Sequence, residues 1–329
     1  FKKLSRLEAI AAEVDPATAE GGAAMIDLAL FYLGHEMDLE ALGVLKVAGE
    51  ERLELEQDPV FLGLRGAANY MAHRLAAADD DLSRGSLRGD KSASLWRALV
   101  AVERSEWERA GDYFRAAGDQ IYAYPTARSA TFAAAWAEAA LHTNDYDVSR
   151  RQAEQAVANG DRETKERGQL VLAGLTSIID GPGAAYPEFE RLSKEASEPV
   201  AVRAELRRLE LGVVAGKMTA NEAAGELESL RFRWRGDDVE MATVGILSDQ
   251  YMRVGRFRDA LLLAQSTALR DAEAPGAREL RIRLSDYFRR LFLNGEADRL
   301  DPIQALALFY EFADDLTPIG TDGDQMVRK

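Results

Sequence analysis

Three arginines alternate with two aromatics in Arg231-Phe232-Arg233-Trp234-Arg235, and Gly236 closes the run. Guanidinium groups grip carboxylates in a two-point fork, and arginine and tryptophan recur at the energetic centres of interfaces. The segment therefore offers anion capture beside an aromatic surface. A plainer reading carries more weight: basic side chains suit the negative end of a helix, glycine ends it, and Trp234 packs inside. Arg203 and Arg207, four residues apart, share one face of a helix. Arg253 lies with Asp249 on a later helix. The chemistry open to these groups is ion pairing, either with a partner's carboxylate or with neighbours along a solvated face.

Bond-making chemistry finds less support. His35, His73 and His142 are far apart and fit no metal-binding spacing. Gly212 to Lys217 (GVVAGK) is one residue short of a phosphate loop, carries Met218 where Ser or Thr is required, and ends a helix. Asp79, Asp81, Ser83 and Asp90 mimic calcium-loop spacing, but Arg84 stands where the sharp turn needs glycine. No GxSxG elbow is present. The absence of cysteine removes disulfides, thiol catalysis and thiolate-bound zinc. Among 56 acidic residues, carboxylates such as Glu36 or Asp249 do not stand out as acids. No catalytic residue, cofactor site or metal ligand is expected. The net charge of -15 argues against nucleic acid as a partner. No apolar run reaches the ~18 residues of a membrane span.

The elements that must hold these groups are helices. Alanine and leucine are abundant, while β-branched runs are missing, so the expected class is all-α. Thr243 to Arg270 is the clearest unit: Leu247, Tyr251 and Val254 share one helix face, Gly255 ends that helix, and Phe257, Ala260, Leu261 and Ala264 line the next. A small residue at the Ala260 position recurs at Ala110, Ser149, Ala185 and Ala223, in steps of 36 to 39 residues. One hairpin cannot bury its own apolar face, so such units must stack. Helices are expected over Lys2–Glu13, from Asp15-Pro16 to Leu33, from Asp38, from Asp58-Pro59 in one long run to about Ala77, and onward in the same manner. Thr219 to Glu222 is a capping box. The total is roughly sixteen helices in eight pairs.

Gly255, Phe257, Ala260, Ala264 and Thr267 together resemble the tetratricopeptide repeat, without that family's terminal proline or first-helix tryptophan. The resemblance implies a right-handed α-α superhelix, a single continuous solenoid over 1–329 with an irregular junction near 79–92, whose first helices line a concave surface. On that surface Arg203, Arg207, Asp249 and Arg253 would receive an acidic or carboxylate-ended peptide, with Arg231, Arg233 and Trp234 as further binding candidates. The function it implies is a non-enzymatic scaffold for a protein or peptide partner. The phrases DLALFYLGHEMDLEALGVL, SLWRALVAVERSEWERA and DPIQALALFYEFADDLTPIG are similar to large α-proteobacterial tetratricopeptide proteins. That similarity implies envelope association, a periplasmic rather than cytoplasmic location, and a chain that is a piece of a longer protein. The alternative is a helical-superhelix or α/α-toroid module of a glycan-cleaving enzyme, with Trp96, Trp107 and Trp136 as platforms beside two carboxylates ~5–10 Å apart.

Overall fold

A computed structural model describes residues 2–233, 238–270, 272, 274 and 276–328, with the side chain of Asp238 excluded. Trp234, Arg235 and Gly236 lie outside the described residues. Among these residues there are eighteen α-helices and no strand, so the expected all-α class holds. The chain forms two compact units, residues 1–172 and 173–329.

The first unit contains α1 (Lys2–Glu13), α2 (Ala19–Leu33), α3 (Asp38–Glu51), α4 (Pro59–Met71), α5 (Leu75–Leu82), α6 (Lys91–Glu103), α7 (Trp107–Ala117), α8 (Thr126–His142) and α9 (Tyr146–Asn159). The unit boundary falls within α10 (Arg162–Ile179). The second contains α11 (Pro182–Glu195), α12 (Glu198–Val214), α13 (Ala220–Arg233), α14 (Asp238–Arg253), α15 (Phe257–Arg270), α16 (Ala277–Phe292), α17 (Pro302–Leu316) and α18 (Thr321–Arg328). Neighbours in sequence pack as pairs: α2 with α3, α4 with α5, α6 with α7, α8 with α9, and α14 with α15. The first helices of successive pairs also touch, α2–α4–α6–α8 in one unit and α12–α14–α16 in the other.

Two backbone features generate this repetition. The small position is fully enclosed each time: Ala41, Ala78, Ala110, Ser149, Ala185, Ala223 and Ala260 are all at most 1% exposed. An alanine-sized side chain there lets two helix axes approach, and Ser149 buries its hydroxyl by donating to the Ala137 carbonyl at 2.9 Å. The second feature is the turn inside each pair. Glu36, His73, Ser105, Asn144, Gly181, Gly216, Gly255 and Gly295 all have positive φ, at intervals of 32 to 40 residues. One residue of that conformation reverses the chain and releases the next helix.

The core follows from the same spacing. In the second unit Leu209, Leu227, Leu247, Leu261, Phe288 and Phe312 form one apolar cluster. In the first, Leu62, Leu82, Leu99, Phe114 and Phe132 do the same. Truncating any of these phenylalanines to alanine costs ~3–5 kcal/mol.

Some boundaries differ from expectation. The helix foreseen from Asp15-Pro16 starts later: Asp15 closes a turn by accepting from the Ala17 amide, and Thr18 caps α2 through the Gly21 amide. The single long run from Asp58 to about Ala77 is two helices, because His73 takes a positive φ and breaks it. Asp79 to Asp90 resolves into the end of α5, a short turn of 3-10 helix at Gly85–Leu87, and the Asp90 cap of α6. The Thr219 capping box forms as expected, with reciprocal bonds to Glu222 at 2.7 and 3.2 Å.

Candidate functional site

α14 is enclosed around nearly its whole girth. From Val239 to Arg253 only Ala242, Asp249 and Arg253 escape burial. Their offsets of seven and four residues place them on one narrow line. On α12 the matching line is Arg203, Arg207, Glu210 and Val214, at four-, three- and four-residue steps. Since α12, α14 and α16 pack side by side, these lines belong to neighbouring first helices. Of the predicted binding residues on these first helices, Arg207 and Arg253 are exposed and Arg203 and Asp249 are half-buried.

Their electrostatic states differ. Arg207 is exposed and pairs with Glu210 at 2.7 Å, and Arg203 is half-buried. Asp249 accepts from Arg283 Nη1 at 2.6 Å and from the Tyr287 hydroxyl at 2.6 Å, which ties α14 to α16. Tyr287 also reaches the Gly245 carbonyl at 3.3 Å. Burial and then the Asp249 carboxylate push the Tyr287 phenol well above its ordinary value. At Arg283, burial works against the charge, but Glu279 and Asp249 outweigh it and hold the guanidinium above its usual range. Arg253 is exposed and makes no ion pair among the described residues. It is a cation available to a ligand on this line.

Arg231 and Arg233 sit elsewhere, on the second helix α13. Arg233 donates to Glu205 of α12. Arg231 lies over the ring of Phe232 at 4.7 Å. It belongs to a group with Tyr251, Glu228 and Arg256: the Tyr251 hydroxyl donates to Glu228, and Arg256 lies over the Tyr251 ring at 4.0 Å. Burial, then the hydrogen bond to Glu228, push the Tyr251 phenol up to about 12. The two arginines and the Arg203–Arg207 line are therefore presented by different helices. Trp234 lies outside the described residues.

Spacing alone did not single out Arg283 and Tyr287, nor a polar group on the first helices of the other unit. There the Tyr70 hydroxyl meets Glu103 at 3.4 Å, and Arg167 meets Glu138 at 3.2 Å. Burial and Glu103 raise the Tyr70 phenol. These residues come from α4, α6, α8 and α10, so no local pattern joins them.

The aromatic residues considered as sugar platforms are held in ring contacts. Trp96 packs edge-on against Tyr70, Tyr124 and Phe132 and donates to the Tyr124 hydroxyl at 3.1 Å. Trp107 stacks on His142, and Trp136 on Phe114. His35 stacks on Phe31. Among the described residues no group of three or more His, Cys, Asp or Glu could hold a metal ion, and no helix is long and apolar enough to cross a membrane.

Repeated helix pairs, enclosed small residues and first helices in mutual contact define an all-α fold of the tetratricopeptide-like superhelical kind. Solved structures agree. NprR in complex with its cognate peptide NprX superposes with a TM-score of 0.65 at 14% identity, over 92% of this chain and 96% of that one. A Rap protein complexed with competence and sporulation factor gives 0.64 at 14% identity, over 94% and 91%. A tetratricopeptide repeat protein from Parabacteroides merdae gives 0.54 at 13% identity, over 81% and 98%. No protein-family model matches the chain, and no curated protein matches it in sequence.

Proposed function

We propose that this protein is a non-enzymatic adaptor that holds a peptide or a peptide-like segment of a partner protein on its first-helix faces. The carrying observation is the line of α14 where Arg253 stands exposed, with no ion pair among the described residues, beside an Asp249 already committed to Arg283 and Tyr287. With Arg203 and Arg207 on α12, that line suits an acidic or carboxylate-ended peptide. The cognate peptide bound to NprR and the competence and sporulation factor bound to the Rap protein support the reading, since those chains share this fold. Periplasmic location belongs to the same proposal. It rests on what the resemblance of the three phrases to large α-proteobacterial tetratricopeptide proteins implies, and fractionation of the source cell tests it.

The test pairs capture with substitution. Crosslinking in the source cell identifies the bound segment, and a labelled copy is titrated by fluorescence anisotropy. Arg207→Glu with Arg253→Glu is expected to weaken binding about tenfold or more, with unchanged helicity. Amidating a terminal carboxylate is expected to act in the same direction. Binding indifferent to the double substitution removes this line from the site.

A further inference from the structure

The helix α17 has two unlike apolar faces. Leu308 and Phe312 point into the core. Ile303, Leu306 and Tyr310 follow at three- and four-residue steps on another side, and they are 78%, 57% and 72% exposed. Three large apolar side chains in one line on one helix differ from scattered surface residues, and such a line marks a docking face.

The surroundings of the line indicate what covers it. From Asp301 to Val327 the chain has six carboxylates and no lysine or arginine. Three of them are engaged at the flanks: Glu311 by Arg258 at 2.7 Å, Asp315 by Gln265 at 2.8 Å, and Asp322 by Arg289. Asp301 caps α17 through the Ile303 amide. Asp314 and Asp324 are exposed and make no ion pair among the described residues. Asp314 comes four residues after Tyr310, so it lies beside the apolar line.

We infer that this face docks a basic amphipathic helix of a partner protein, with leucine-like side chains against Ile303, Leu306 and Tyr310 and lysine or arginine against Asp301 and Asp314. Helix-on-helix recognition of this kind reads apolar anchors at i, i+3 or i+4, and i+7. Charge selects the partner's flanks. A second copy of this chain is disfavoured, since pairing the same face with itself sets carboxylate against carboxylate. The surface is distinct from the first-helix lines of α12 and α14, so the proposal stands apart from the peptide-binding reading.

The probe is a synthetic helical peptide with leucines at i, i+3, i+4 and i+7 and lysines on both flanks. Its control has glutamate in place of every lysine. Fluorescence anisotropy is expected to show saturable, salt-sensitive binding of the lysine peptide, with the glutamate peptide weaker by about tenfold or more. Ile303→Ser with Tyr310→Ser is expected to weaken the lysine peptide by a similar factor. These side chains are exposed, so helicity and melting should be unchanged. Asp314→Lys is expected to narrow the preference for the lysine peptide over the glutamate peptide. Equal affinity for both peptides overturns the inference, as does lysine-peptide binding that neither variant alters. So does a dimer, seen by sedimentation, that Ile303→Ser with Tyr310→Ser dissolves.

Discussion

At the scale of single residues, small side chains and paired charges decide more than large apolar ones. Ala260 is completely enclosed between α14 and α15. Ala260→Trp is expected to destabilise the protein by ~1–3 kcal/mol through overpacking, read from chemical denaturation; an unchanged midpoint contradicts the enclosure. Asp81 is 4% exposed and depends on Arg65, which forks onto it at 2.7 and 3.0 Å and also bonds Glu56. Arg65→Met leaves the buried Asp81 carboxylate with the Asn69 amide but no charge partner, so a loss of ~3–5 kcal/mol is expected in the same assay. Tyr251 supplies a pH signature. Its phenol is raised to about 12 from an ordinary value of 10.0, first by burial and then by the bond to Glu228. A raised folded-state value means that the stabilisation is complete below pH 10 and is lost as pH rises towards 12. Tyr251→Phe should lessen that alkaline decline in pH-dependent melts, leaving the share of the raised Tyr70 and Tyr287 phenols; an identical decline would show that Tyr251 has no part in it.

At the scale of the helix pair, the turn is the weak joint. Glycine accepts positive φ freely, whereas a side-chain-bearing residue pays ~1–2 kcal/mol for the left-handed region. Ser105 and His73 carry that strain at φ 56 and 57, and Gly255 avoids it at φ 82. Ser105→Gly or His73→Gly should therefore stabilise by about 1 kcal/mol, and Gly255→Ala should destabilise by a similar amount. A Cβ at Gly255 meets nothing within 4 Å, so any loss there reports backbone strain alone. Urea midpoints measure all three, and a Gly255→Ala midpoint equal to wild type would refute the conformational account. Helix starts such as those at Asp58 and Asp301 were easier to foresee, because these residues announce themselves as caps by type, whereas the Asp90 cap of α6 was hidden in an irregular stretch.

For the molecule as a whole, charge sets the acid limit. The carboxyls of Glu56 and Glu188 are held below 4.5, chiefly by hydrogen bonds from Arg65 and Arg191. A lowered folded-state value gives stability that is present above 4.5 and disappears as pH falls through the lowered value. The melting temperature should be flat just above that point and decline below it, and a decline beginning near neutrality would assign acid sensitivity to other groups. The net charge of -15 also predicts a gain on adding salt near neutral pH, since screening relieves self-repulsion.

Residue type and spacing by themselves determined the helical class, the small-residue period from Ala110 to Ala260, most helix starts, and the lack of any familiar reactive motif. Those properties are local, because a helix face or a cap is written within a few residues of itself. The period that buries Leu247 and Tyr251 also leaves Arg253 exposed and Asp249 half-buried on another face of α14. Only tertiary structure decided that Asp249 is committed to Arg283 and Tyr287, that Arg233 turns to Glu205, and that Tyr70, Glu103, Glu138 and Arg167 gather from four helices. It also decided that His73, a residue of no special turn character, breaks a predicted helix in two. Contacts across tens of residues, and strain imposed by packing on both sides of a turn, depend on which helices become neighbours, and no short stretch of the chain encodes that.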